Sequence, residues 1–259
     1  MIVINNGTVL TVNEADEVIF GGHVVISGDR IAAVGPGEHL AGPDDTVIDA
    51  GGKIVMPGLV DLHYHTAIAK GFSDHLPLWE YLDTCWYPFI RTLDADAAYW
   101  SAAASYLESV KCGVTTVNDM YRRLPDLARA ARDIGIRAVL SSDVALPEHN
   151  LDPLQDNKDA YDAGLLGPDC VAAHCVHLND TEIALMRETG THISHNPGSN
   201  AKLGNDIARL PELLAAGINV GLGHDAAECN NSRDPFETMK FASLIHRAAR
   251  VDASLVQAP

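Results

Sequence analysis

Beyond Pro57-Gly58 the chain alternates short apolar runs with helical stretches, and the runs end in polar, chemistry-bearing residues. Strands are expected at Leu59–His65, Gly113–Asn118, Ile136–Val144, Cys170–Leu178, His192–His195 and Asn219–Gly223. Helices are expected through about Glu108, then over Leu124–Ile134, Thr181–Glu188, Leu210–Ala215 and Pro235–Ala249. Such alternation predicts a parallel sheet with helical crossovers. Polar residues gathered after the strands' C-terminal ends match the active-site face of a β/α barrel. The count is six strands, where a closed barrel of this kind has eight. Between Ala145 and Asp169 no convincing strand–helix pair is visible.

The first 56 residues read differently. Ile2–Ile4, Thr8–Val12, His23–Ser27 and Ile31–Val34 are β-branched runs separated by Asn5-Asn6-Gly7, Gly21-Gly22 and Ser27-Gly28-Asp29. The expected domains are therefore 1–56, a small sheet domain, and 57–259, the β/α part. Hydrophobic residues make up 47%, enough for a core. With 18 Lys+Arg against 35 Asp+Glu, the net charge is −17, which argues against nucleic-acid partners. No apolar run approaches the roughly 18 residues of a membrane span, and the first residues lack the pattern of a secretory signal. The five cysteines form no CxxC pair and suit reduced thiols in a cytoplasmic protein.

Four strand ends carry the chemistry. In Pro57-Gly58-Leu59-Val60-Asp61-Leu62-His63-Tyr64-His65, the alternation of a strand puts His63 and His65 on one face. Two imidazoles there suit a divalent metal such as zinc. The run Val171-Ala172-Ala173-His174 brings His174 to the same rim, as a ligand, a catalytic electrophile or a hydrogen-bonded core residue. His177, three residues on, faces the other way. Ile193-Ser194-His195-Asn196-Pro197-Gly198-Ser199-Asn200 runs from a strand into a polar turn. There His195 can touch substrate, and Asn196, Ser199 and Asn200 can fix the loop or cap the turn. Finally, Val220-Gly221-Leu222-Gly223-His224-Asp225 ends in an aspartate that needs a partner if buried, and a metal is one. Asp225 can also accept a proton from water. His224 precedes it on the opposite side.

Together these segments resemble the amidohydrolase superfamily, and within it the branch of metal-dependent deaminases and chlorohydrolases acting on nitrogen heterocycles. The matching text is GKIVMPGLVDLHYH, LPLWEYLDTCWYP, GVTTVNDM, VAAHCVHL, SHNPGSNAKLG and VGLGHDAAECNN. The resemblance implies a (β/α)₈ TIM-like barrel, here reduced to about six βα units, with a small N-terminal β-sandwich. It implies that His63, His65 and Asp225 are ligands of one divalent metal, zinc or alternatively iron. It makes His174 and Asp225 catalytic, with Trp79 and Tyr81 over the ring of the substrate beside His195 and Asn196. The implied reaction is attack of metal-bound hydroxide on a ring carbon bearing an amino or halide group. The implied partners are a small heterocyclic substrate and further copies of the chain in a homo-oligomer, with no membrane or nucleic acid.

The chain departs from the pattern in two places. The HxxE motif that supplies the branch's fourth ligand and its proton-shuttling glutamate is missing from 145–169. His149…Asp152 and His177…Asp180 have the spacing with a shorter acid, but neither ends a strand. Asp156–Tyr161 resembles text after the third strand, and Gly164–Asp169 resembles the approach to the sixth, so two βα units are missing with a join near Asp162. The end at Pro259 precedes the strands that complete the sandwich in relatives. A catalytically impaired, truncated homologue is the alternative reading. Glu228, three residues past Asp225, is the acid considered in place of the missing glutamate. A two-metal site bridged by carboxylated lysine is disfavoured, because no lysine ends a strand.

Overall fold

The computed structural model describes residues 1–66, 70–142, 162 and 164–256. The chain divides into two compact units, Met1–Gly58 and Leu59–Pro259. The first is one mixed sheet of five strands: β1 (Ile2–Leu10), β2 (Val18–Ser27), β3 (Arg30–Pro36), β4 (Thr46–Asp49) and β5 (Ile54–Val55). β1 pairs antiparallel with β2, and β2 with β3, while β4 and β5 lie parallel to β1 along successive parts of its length. The expected β-sandwich is not seen: the described residues of this unit form a single sheet.

The second unit carries parallel strands in two sheets. The first has the order β12 (Asp225–Ala226), β6 (Leu59–His65), β7 (Val114–Tyr121), β8 (Arg137–Ser142). The second has the order β11 (Val220–Leu222), β10 (His192–His195), β9 (Val171–Ala173). The segment Val220–Ala226 joins them. Its first half pairs with β10 and its second half with β6, with Gly223-His224 as the break. The strands thus run as an arc from β9 through to β8, and no closed barrel forms among the described residues. The candidate acid pair His149…Asp152 and the text Asp156–Tyr161 lie outside the described residues.

Helices cover the arc. After β6 come α1 (Leu78–Tyr81), a wide π-type turn (Leu82–Trp86), α2 (Tyr87–Thr92) and α3 (Ala95–Lys111). The wide turn precedes Pro88, which has no N–H for the ordinary helical bond, and Tyr87 N–H instead reaches Leu82 O. Asp94 caps α3 by accepting from Ala97 N. α4 (Leu124–Ile134) follows β7, and α5 (Asp180–Thr189) starts with a capping box between Asn179 and Glu182. α6 (Pro197–Lys202), α7 (Leu210–Ala215), α8 (Ala227–Asn230) and α9 (Pro235–Arg250) complete the set. Tyr64, Val117, Tyr106, Ala130 and Leu127 build the core of the first sheet with α3 and α4. Ile193, Ile183, Met186, Leu213 and Ile218 build that of the second. Each such Val, Leu, Ile or Met side chain contributes about 1.5–3 kcal/mol on burial.

Candidate active site

The carboxyl ends of β6, β9, β10 and the β11–β12 segment converge on one point. His63 Nε2 lies 3.6 Å and His65 Nε2 3.4 Å from Asp225 Oδ1. All three residues are buried, and their ligand atoms lie within 4.8 Å of one another. His174 Nε2 stands 3.6 Å from the other carboxylate oxygen, and its ring packs edge-on to His63 at 5.0 Å. The expected strand Cys170–Leu178 stops at Ala173, because His174 and Cys175 both take left-handed backbone, with φ of 65° and 48°. Asp225 does the same at φ 67°. Non-glycine residues rarely sit there, at a cost of about 1–2 kcal/mol each. Here two of the converging groups owe their direction to it.

The surroundings fix each donor. His65 Nδ1–H donates to Met120 O at 2.6 Å, leaving the Nε2 lone pair turned to Asp225. His174 Nδ1 meets Asn200 Oδ1 at 2.8 Å. Ser199 Oγ donates to Asp225 Oδ2. Behind the site, Asp61 accepts from His224 N at 3.0 Å and contacts its Nδ1 at 2.8 Å, so His224 serves the interior and not the rim. Arg233 is buried, donating through one nitrogen to Asp225 O and through another to His65 O at 2.8 Å. Its guanidinium lies 3.8 Å from the centre of the Tyr64 ring. One side chain thus ties together the backbone of two convergent residues from β6 and β12.

Burial lowers the His63 pKa to about 3, against the pull of Asp225. For Asp225, burial works upward, but His63, His174, His65 and the Ser199 hydroxyl outweigh it and hold the carboxyl well below the usual range. Two imidazoles beside an ionised carboxylate are a donor set for a divalent ion, and two nitrogens with one oxygen suit zinc or iron. No further His, Cys, Asp or Glu joins this set among the described residues.

A cavity of about 320 Å³ opens beside these groups. His65, His174 and Asp225 form its polar end, and Tyr81, Trp86 and Leu203 belong to its largely apolar wall. Of the expected substrate contacts, Tyr81 lines this cavity, while Trp79 is 75% exposed and does not. His195 and Asn196 are buried but lie off the lining: His195 Nε2 is 3.1 Å from His246 Nε2, and Asn196 Oδ1 accepts from Ser194 Oγ. Asn200 and Ser199, read as turn residues, do line it. Sequence reading missed Trp86, although it lies in the same run as Tyr81, and Arg233. Nothing in Asn231-Ser232-Arg233-Asp234 signals a buried cation.

The fold and site define a parallel β/α protein with a candidate metal centre at the carboxyl ends of its strands. The chain belongs to the amidohydrolase family, whose model matches residues 54–156 and 147–258. It is 31% identical to a 5-methylthioadenosine/S-adenosylhomocysteine deaminase of Syntrophobacter fumaroxidans, over 98% of this chain and 75% of the relative. It is also 31% identical to a 5'-deoxyadenosine deaminase of Methanosarcina mazei, over 99% of this chain and 76% of the relative. These alignments run over 330 and 331 positions, more than the 259 residues of the chain, so the relatives carry internal residues without counterparts here. Among solved structures, a zinc-bound adenosine deaminase from Xanthomonas campestris has the same fold, with TM-score 0.84 and 20% identity over 99% of this chain and 76% of that one. An E. coli guanine deaminase gives TM-score 0.82 at 19% identity, over 99% of this chain and 81% of that one. No described helix is long and apolar enough to cross a membrane.

Proposed function

We propose that the chain is a metal-dependent hydrolase that removes an amino group from a nitrogen heterocycle, with an adenine-type nucleoside as the first substrate class to test. The observation that carries this reading is the convergence of His63, His65 and Asp225, the last two of which line a largely apolar cavity of a size for a flat ring. The named relatives, which are deaminases of adenine nucleosides, support the choice of substrate. His63, His65 and Asp225 would hold one divalent ion, zinc in the first instance and iron as the alternative. Such an ion, when bound, supplies Lewis acidity that makes water nucleophilic near neutral pH.

The protein's own groups then have separable tasks. Asp225, ionised in its histidine surroundings, accepts the proton that water gives up as it attacks the ring carbon. His174, steadied by Asn200, stabilises the charge that develops on the ring, a role worth roughly 3–4 kcal/mol in comparable sites. Tyr81 and Trp86 form the apolar wall that excludes water and seats the ring. Residues 57–259 form the catalytic part in this reading. Assembly as a homo-oligomer and residence in the cytoplasm, where the five cysteines stay free, belong to it as well. The test is release of ammonia from a panel of aminated and halogenated purines, pyrimidines and triazines by zinc- or iron-loaded protein. Turnover of adenine nucleosides, abolished by His174→Ala, is the expected result. Loaded protein that turns over nothing on the panel contradicts the reading and leaves the catalytically impaired homologue in its place.

A further inference from the structure

The reaction proposed above leaves one chemical demand unmet. An amino group does not depart as an amide anion, so the nitrogen must receive a proton as the C–N bond breaks. Asp225 takes a proton from water and is held strongly ionised, which suits it poorly to give one to the leaving group.

A second carboxyl lies behind the cavity wall. Glu228 opens no path to solvent: it is 8% exposed, on α8, three residues past Asp225. Its Oε1 accepts from the Tyr81 hydroxyl at 3.0 Å. Its Oε2 is buried with no hydrogen-bond partner. Tyr81 itself lines the cavity with His65, His174 and Asp225. The charged groups near Glu228 are Arg233, which favours the ionised form, and Asp225, which opposes it. The Lys202 ammonium is taken up by the Glu228 backbone oxygen and by Asp74. Burial is the dominant influence and raises the Glu228 pKa, so the carboxyl tends to keep its proton. An ionised carboxylate with one buried, unpartnered oxygen would be costly. A protonated one satisfies the same surroundings with a hydroxyl.

The geometry points to Tyr81 and Glu228 as a proton relay that serves the leaving amino group, with Tyr81 facing the cavity and Glu228 as the proton source behind it. This rests on the hydrolytic reading above. When the Glu228 proton sits on Oε1, the 3.0 Å contact runs from carboxyl to phenol, and the tyrosine hydrogen is free to point into the cavity. Water forms the new C–O bond and the C–N pair leaves with the nitrogen. That nitrogen takes the Tyr81 proton and departs as ammonia, while Tyr81 is reprotonated from Glu228. After ammonia leaves, the proton held by Asp225 crosses the shared cavity to Tyr81, whose own proton passes back to Glu228. One water enters and one ammonia leaves, and nothing is oxidised or reduced.

The relay predicts a dependence on the leaving group, since chloride departs without a proton. The experiment compares an aminopurine riboside with the corresponding chloropurine riboside, for the metal-loaded wild type, Glu228→Gln and Tyr81→Phe. Glutamine keeps an acceptor for Tyr81, and phenylalanine keeps the ring on the cavity wall. Elemental analysis and thermal unfolding report whether each variant retains its metal and fold. In both variants the ratio of amino to chloro turnover should fall by about 10²-fold or more, the ordinary worth of a general acid. Equal losses on the two substrates, or no loss on the amine, overturn the relay while the hydrolytic reading stands. If the wild type hydrolyses neither substrate, the reading itself fails and the relay falls with it. A variant that loses its metal is replaced by Glu228→Asp, which keeps the acid but withdraws it from Tyr81. Selective loss on the amine then supports the relay, and uniform loss overturns it.

Discussion

Arg233 brings a full charge into the interior, where it donates to the carbonyls of His65 and Asp225 and covers the Tyr64 ring. Its fork spans two backbone oxygens from two strands, which a lysine ammonium cannot do from one position. Arg233→Met should therefore cost about 3–5 kcal/mol, through carbonyls and buried carboxylates left without their cation. It should also weaken metal binding by about 10–100-fold. Urea midpoints and chelator competition measure the two effects, and Arg233→Lys should recover little of either. His195 makes a second prediction. Burial first, then His246 and His174, lowers its pKa from 6.5 to about 3. The unfolded chain thus binds a proton that the folded chain refuses between those values. The contribution of His195 is complete above about pH 6.5 and is lost as the pH falls toward about 3, at a slope of about 1.4 kcal/mol per pH unit. Urea midpoints of the wild type and of His195→Asn, taken between about pH 7 and pH 5, should converge on the acid side.

At the scale of elements, the interrupted segment Val220–Ala226 is the hinge of the arrangement. A Cβ at Gly223 would lie 2.4 Å from Asn196 Oδ1, 2.6 Å from Ser194 Oγ and 2.8 Å from the His63 backbone nitrogen. The close approach of β10 and β6 around this break requires glycine. Gly223→Ala should cost about 1–3 kcal/mol by overpacking. It should also lower metal occupancy, since Gly223 meets the backbone of His63 and stands two residues before Asp225. Metal content and thermal unfolding of the variant check both. The same elements show what could be read in advance. The period of a strand places His63 and His65 together without any structure. The period of a helix separates Trp79 from Tyr81, since residues two apart face different ways, so a pair read as one wall is divided by α1. His174 reached the rim by a left-handed turn that ends its strand early, which no pattern of apolar residues announces. The tie made by Arg233 was illegible because burial of a cation depends on carbonyls brought from residues distant in sequence.

For the whole molecule, the donors of the candidate centre come from opposite ends of the β/α part, His63 and His65 before the first crossover and Asp225 after the last. A bound ion would therefore pin β12 against β6 and resist their separation. Binding of that kind is folding free energy, because the unfolded chain holds no preformed site. None of the three donors comes from the chain between β8 and β9. The measurement that tests this account most directly is the metal content of desalted, zinc-loaded protein, with thermal unfolding of loaded and chelated samples. The account predicts about one ion per chain, lost in Asp225→Asn, and a lower unfolding temperature after chelation. Protein that retains no ion, or that binds it equally well without Asp225, contradicts it.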